Sequence, residues 1–273
     1  MSGVGPLTML RGTYFPKHED NRMKSEGDLS RARKVFFETK PTNLHFLLSK
    51  RYSWMNAYLE PQQKVIELGS GAGFSQEFIT KAPLILTDFN KTEWVAEKVD
   101  ALNTPYADSS IDVVICSHMI HHLATPHKFF SEMNRILKPG GKILISEINT
   151  SLIMRILLRL MRHEGWSYEV DVFDKAVIAN DPSDPWSANC AIPELLFSKP
   201  TVFEKVFPSF KVTRNRLVEF AIFPLSGGVI AKTKTIPLPR FALQLIHLVD
   251  RFLIALMPQV FALGREVVLE KSK

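Results

Sequence analysis

From Lys64 onward the chain alternates short β-branched, apolar runs with segments of helical character, and this alternation constrains the fold more than any other feature. It is the signature of βαβ units, because a parallel strand can follow its neighbour only after a crossover. The runs predict strands over residues 64–68, 84–87, 113–116, 142–147, 211–220 and 266–269. Helices are predicted over 74–81, 91–99, 127–137 and 193–207, and the turn Lys138-Pro139-Gly140-Gly141 ends one helix and launches the next strand.

Two stretches fall outside this minimal alternation, 151–200 and 224–264, and both read as insertions. A chain of 273 residues with 45% hydrophobic content buries one sizeable core. The expectation is therefore a mobile arm over 1–35 and one catalytic domain over 36–273 that carries both insertions as a cap. Ligands of open α/β sheets bind outside the carboxyl ends of the strands, so insertions returning there can roof the site.

Composition removes several classes of function. Cys116 lies in an apolar run and Cys190 is far from it in sequence, which predicts free thiols, a reducing cytoplasmic compartment and no metal cluster. No uncharged apolar stretch of about 18 residues predicts a membrane span, and no signal peptide is evident. The net charge of +6 is modest, and without a basic run interleaved with aromatics no nucleic-acid partner is expected. The cluster over 22–34 is interrupted by Glu26 and Asp28 and reads as a solvated helix face.

The chemistry-bearing segment is Val65-Ile66-Glu67-Leu68-Gly69-Ser70-Gly71-Ala72-Gly73, a strand followed by glycines at every second position. Such a turn brings backbone close to a ligand and presents amides to it. A dinucleotide fingerprint needs a glycine where Phe74 stands, which disfavours a pyrophosphate and hence a nicotinamide oxidoreductase. Asp88, ending the next predicted strand, is placed to accept two ribose hydroxyls.

VIELGSGAG, LILTDF, VDALNTPYADSSIDVVICSHMIHHL and EMNRILKPGGKILISE, in that order, resemble class I S-adenosylmethionine (SAM)-dependent methyltransferases, most closely the branch of quinone-biosynthesis and other small-molecule or lipid enzymes. The resemblance is strongest over 64–147. It implies a doubly wound α/β fold with a mostly parallel seven-stranded sheet and SAM as cofactor. It further implies that Gly69, Ser70, Gly71 and Gly73 line the methionine part of SAM and that Glu67 orients the loop and the amino group. Asp88 would hold the ribose, Phe89 would lie against adenine, Asp100 and Ala101 would meet the adenine amino group, and Ser117 would stand beside the cofactor. Asn103-Thr104-Pro105-Tyr106 superficially resembles the Asn-Pro-Pro-Tyr motif of amino-methyltransferases, but it precedes the strand that motif should follow.

An oxygen or protonated nitrogen acceptor must lose a proton, and histidine is the natural agent near neutral pH. His118, His121 and His122 follow the 113–116 strand. By the resemblance His122 is the favoured catalytic residue; the alternative is that this His-Leu pair only starts and packs a helix. Glu147 is a second candidate for positioning the acceptor, or a salt-bridged strand-end acid.

The acceptor reading comes from the insertions. Arg155, Arg159 and Arg162 recur on an otherwise apolar helix over 151–162, and the segment 241–257 has one narrow polar stripe. These faces either dock on an anionic bilayer, giving a peripheral membrane enzyme with a lipid-like acceptor, or pack as a lid or dimer contact. Trp166, Tyr168, Asp171, Asp174, Trp186 and Asn189 read as a pocket lining or as scattered loop residues. Methyl transfer to a small-molecule or lipid-like acceptor is the expected function. Its rivals are a SAM-binding enzyme of other chemistry, such as a cyclase, and a non-enzymatic SAM-binding adaptor at a membrane surface.

Overall fold

The computed structural model describes residues 12–17, 28–162, 164–184, 187–229 and 235–273. Nine strands are assigned among them: β1 (Thr13–Tyr14), β2 (Val65–Leu68), β3 (Leu84–Asp88), β4 (Glu97–Lys98), β5 (Ile111–Ser117), β6 (Leu137–Ile148), β7 (Trp166–Ser167), β8 (Phe210–Val218) and β9 (Gly264–Lys271). The α-helices are α1 (Leu29–Thr39), α2 (Thr42–Tyr52), α3 (Pro126–Ile136), α4 (Leu152–Met161), α5 (Ile192–Phe197), α6 (Pro200–Val206), α7 (Ile222–Leu225), α8 (Arg240–Leu256) and α9 (Pro258–Phe261).

Seven strands form one sheet in the order β4-β3-β2-β5-β6-β9-β8, with β9 antiparallel to both its neighbours and the other pairings parallel. Strand order reverses between β2 and β5, which opens the crevice where such sheets bind ligands. The doubly wound, mostly parallel sheet expected from the motifs is therefore present.

Its strands are apolar at consecutive positions because both faces are covered. Ile66, Val114, Ile143 and Val267 point into a cluster with Phe129, Phe130 and Met133 of α3 and Phe197 and Phe203 of the following helices. Their neighbours Val65, Val113, Leu144 and Val268 point the other way, against Phe36 of α1 and Leu44, Leu47 and Leu48 of α2. Each such fully buried side chain contributes roughly 1.5–3 kcal/mol.

Three expectations are corrected. No helix spans 91–99: Lys91 donates to the carbonyl oxygens of Val95 and Ala96, Trp94 Nε1 reaches the Gly71 carbonyl at 2.8 Å, and the chain then pairs with β3 as β4. The segment 74–81 forms only a 3-10 turn, Phe74–Glu77, because Asn56 ties down the backbone of Phe78, Thr80 and Lys81. The helix expected over 193–207 is split into α5 and α6 because Lys199, before Pro200, is held out of the helical region (φ −127°, ψ 86°).

The start of the chain differs as well. Residues 29–35, assigned to a mobile arm, lie in α1, which Asp28 caps and which buries Ala32 and Phe36. Thr13 and Tyr14 pair with Ser167 and Trp166 of the first insertion. The insertions also meet each other: α9 packs on both α4 and α8, and α8 packs on α2, α7 and β8.

Candidate active site

The glycine-rich loop leaves β2 at the topological switch. Gly69, Gly71 and Gly73 all take left-handed backbone, with φ of 69°, 50° and 67°. A Cβ at Gly69 would stand 2.5 Å from Met119 Cγ, whereas one at Gly71 would meet nothing within 4 Å. The first glycine admits β5's extension and the second faces open space. Between them the Ser70 hydroxyl is buried without a partner among the described residues.

Asp88, at the end of β3, accepts from the amides of Gly71 and Asn90, each at 2.9 Å, one bond to each carboxylate oxygen. Two acceptor positions remain for hydroxyls. Glu67 is buried in β2 and accepts from the Ser75 hydroxyl. Burial pushes its carboxyl up to about 8, with the Ser75 bond opposing and the Asp88 charge assisting. Ser117, ending β5, hydrogen-bonds the Tyr52 hydroxyl, whose titration is raised by burial and by the Glu67 charge.

Glu67, Ser70, the three glycines, Asp88 and Ser117 thus gather at the carboxyl ends of β2, β3 and β5, where the strand order reverses. Phe89 and Asp100 sit after the neighbouring strands β3 and β4, both exposed, Phe89 beneath the Lys98 ammonium and Asp100 accepting from Leu102 N; Ala101 is partly buried against the core.

Three residues of this region carried no local signature. Arg33 donates to the Ala72 carbonyl at 2.8 Å, with its guanidinium 4.6 Å from the Phe37 ring centroid and 5.0 Å from that of Trp94. It bolts the loop to α1, so Arg33 departs from the solvated face read over 22–34, whereas Arg31 and Lys34 are exposed and 22–27 lies outside the described residues. Trp94 holds the Gly71 carbonyl, and Tyr52 comes from α2. Only the aromatic and arginine identities, not their spacing, signalled them.

His118 has left-handed backbone (φ 51°), and a 3-10 turn, Ile120–His122, follows. The Glu147 carboxylate accepts from Ile120 N at 2.6 Å and Ile148 N at 3.0 Å and lies 2.7 Å from His121 Nδ1. Burial alone would raise Glu147 and lower His121, but their charges and hydrogen bond overcome it, holding Glu147 near 2 and His121 near 10. Glu147 is 1% exposed. Its carboxylate fixes this turn and holds the His121 ring.

His122 Nδ1 faces the Ser187 carbonyl at 3.1 Å, and its Nε2 lies 3.8 Å from Glu164. Burial, then the His121 charge, brings it down to about 4. Its Nδ1 is therefore engaged by the chain, while its Nε2 faces Glu164 beyond hydrogen-bond distance. Among the described residues His118 makes no side-chain hydrogen bond; burial and the Arg51 charge hold it well below its ordinary range.

Glu164, which sequence reasoning passed over, lies 3.6 Å from His121 Nε2 and accepts from the Cys190 thiol at 3.2 Å. The polar residues of the first insertion are mainly structural. Asn189 is buried and bonds the Ser167 backbone, Tyr168 donates to Glu194 at 2.6 Å, Trp166 is 1% exposed, and Asp171 and Asp174 close exposed turns. Trp186 lies outside the described residues. A separate cavity of about 450 Å³ lies between α2, β8 and α8, lined by Trp54, Arg214, Glu219, His247 and Asp250 among others.

The crevice residues suit SAM: an unpartnered buried hydroxyl, open space over Gly71, a carboxylate with free acceptor positions and a buried acid for a cationic ligand. Residues 66–145 match the family model described as "Methyltransferase domain". A demethylmenaquinone methyltransferase of Corynebacterium urealyticum is 33% identical over 105 residues, covering 35% of this chain and 46% of the relative. One of Mycobacterium bovis is 32% identical over 153 residues, covering 45% and 65%. The chain spans about half the length of the first of these relatives. The solved structure of a SAM-dependent methyltransferase from Archaeoglobus fulgidus shares the fold, with a TM-score of 0.50 at 18% identity over 82% of this chain and 93% of that one. These likenesses bear out the resemblance to class I SAM-dependent methyltransferases of the quinone type.

Proposed function

We propose, from that likeness to the class I SAM-dependent methyltransferases, that the protein transfers a methyl group from SAM to a small, apolar acceptor. The observation that carries the reading is the crevice of Glu67, Ser70, Gly71 and Asp88 at the strand-order reversal. Bound SAM supplies a methyl group on a sulfonium, a strong electrophile, so the protein's task is alignment and exclusion of water. Asp88 accepts from the ribose hydroxyls, Glu67 faces the cationic amino end, and the Ser70 hydroxyl gains the partner it lacks. His118, whose ring nitrogens meet no partner among the described residues, takes the acceptor's proton. The named activity of the relatives makes a quinone-like molecule the acceptor class to try first.

Incubating the purified protein with methyl-labelled SAM and lipid or small-molecule extracts, followed by mass spectrometry, tests this. Label in a quinone-like or other small product is expected. SAM bound but never consumed would overturn methyl transfer in favour of other chemistry.

A second reading concerns delivery of the acceptor. The outward face of α8 carries Phe241, Phe252 and Leu256 at 73%, 67% and 65% exposure, with Leu245, Leu248 and Val249 between them. Ile156 and Leu160 of α4 extend exposed apolar surface beyond α9. Arg240 and Arg251 flank the α8 face, and the helix's inner side lines the 450 Å³ cavity. We infer that this surface rests on an anionic bilayer, with apolar burial supplying most of the affinity. Of the three arginines expected at head-group level, Arg155 is buried, whereas Arg159, 5.3 Å from the Tyr14 and Trp166 ring centroids, and Arg162 are exposed. No described helix is long and apolar enough to cross a membrane. Flotation with anionic vesicles should fail for a Leu245→Glu/Phe252→Glu variant. Undiminished flotation of that variant, or a concentration-dependent dimer without lipid binding, would overturn the bilayer reading.

A further inference from the structure

We propose that His121, His122 and Glu164 form a binding site for a divalent transition-metal ion. His121 Nε2 lies 3.6 Å from one Glu164 oxygen and His122 Nε2 lies 3.8 Å from the other, and one donor atom from each residue falls within 4.8 Å of the other two. Metal bonds of about 2.0–2.2 Å at tetrahedral angles place two donors on one ion about 3.4 Å apart, so both separations need to close by only a few tenths of an ångström. The remaining pair closes with a small side-chain rotation.

The way each donor is aimed argues for a ligand rather than a plain ion-pair cluster. A histidine ligand offers one ring nitrogen to the ion while the other donates to a fixed acceptor. Nδ1 of His121 faces the Glu147 carboxylate at 2.7 Å, and Nδ1 of His122 faces the Ser187 carbonyl at 3.1 Å. A carbonyl accepts only, so the His122 proton sits on Nδ1 and its Nε2 lone pair points toward Glu164. That carboxylate is itself held by the Cys190 thiol at 3.2 Å. Asn180 Nδ2 and Asn189 N both donate to the His121 carbonyl at 2.9 Å, locking the turn that carries the two rings. An ion pair between His121 and Glu147 requires none of the last four contacts.

Two imidazoles and one carboxylate favour zinc, iron or cobalt over magnesium or calcium, and the bound ion would displace the proton from His121 Nε2 to solvent. Three protein ligands leave positions for water or for an oxygen of a bound molecule. The His122 and Glu164 side chains are 23% and 13% exposed, so those positions open toward solvent at the carboxyl end of β5. The site stands whether or not the chain transfers methyl groups.

The test is titration of chelator-stripped protein with Co²⁺, followed by visible absorption, with Zn²⁺ competition and thermal unfolding as a second readout. The wild type should develop the intense bands of an ion with fewer than six ligands, lose them to Zn²⁺, and unfold at a higher midpoint with Zn²⁺ present. His122→Ala and Glu164→Gln should each weaken Co²⁺ binding at least about tenfold while unfolding cooperatively without metal. Should either variant fail to fold, the wild-type bands and midpoint shift decide alone. A wild-type spectrum identical to the aquo ion with no shift on adding Zn²⁺, or variants that bind as tightly as wild type, would overturn the proposal.

Discussion

Asp88 is the residue on which the cofactor assignment turns, since its carboxylate both braces Gly71 N and keeps acceptor positions open. Asp88→Ala should weaken SAM binding by roughly 1.5–3 kcal/mol, about ten- to a hundredfold, by calorimetry on folded protein. His118→Ala should leave SAM affinity intact and lower turnover about 10²–10⁴-fold, the usual worth of a general base. Glu67 adds a pH signature. Its folded titration is raised from 4.5 to about 8, so it contributes stability that is full below pH 4.5 and is lost as pH rises through 8. Glu67→Gln should therefore flatten the fall in unfolding free energy between pH 5 and 8, by a difference on the order of 4 kcal/mol across the range. Parallel pH slopes for wild type and variant in urea unfolding would contradict this. Glu67, Ser70, Gly71 and Asp88 were legible because one strand–turn–helix motif holds the first three and one strand separates it from the fourth. Glu164 and Arg33 were not, since each reaches its partners across about forty residues with no spacing to mark it.

At the scale of elements, the strands were legible and some helices were not, for one physical reason. A strand buried on both faces reads as a continuous apolar run, which a sequence displays directly, as in Val113–Cys116. The segment over 91–99 has helical composition, yet its backbone is taken by β3 and by the Lys91 side chain, contacts set by tertiary structure. The same segment supplies Trp94, stacked with Arg33 over the glycine loop. That coupling of α1, the loop and the Trp94 turn makes Arg33 a brace for the crevice. Arg33→Ala removes a hydrogen bond and two cation–π contacts, worth together about 1–3 kcal/mol. Backbone amides of the loop over 69–73 should then exchange faster with deuterium, and SAM affinity should fall about tenfold, while β6 and β9 keep their protection. Unchanged exchange in the loop would show that Trp94 alone holds it.

Across the whole molecule, α2 and the corner after β8 meet in a buried ion pair. Arg51 of α2 reaches Glu219, just past β8, through two hydrogen bonds of 2.8 Å spanning 168 residues of sequence, with side chains 2% and 7% exposed. Glu219 is held in left-handed backbone (φ 58°) and its carbonyl accepts from Leu263 N, so this pair also sets where the second insertion returns to β9. Asp250 of α8 anchors the same corner by accepting from the amides of Phe220, Ala221 and Ile222. Removing one partner of a buried pair strands the other charge, a cost of about 3–5 kcal/mol, whereas replacing both with apolar side chains of similar size is close to neutral. Arg51→Met and Glu219→Leu should each lower unfolding free energy by that amount, and the double variant should recover most of it. The recovery distinguishes a stranded charge from lost packing, because packing losses add while this penalty cancels. Denaturant titration of the four proteins checks it, and additive losses in the double variant would assign the corner's stability to packing instead.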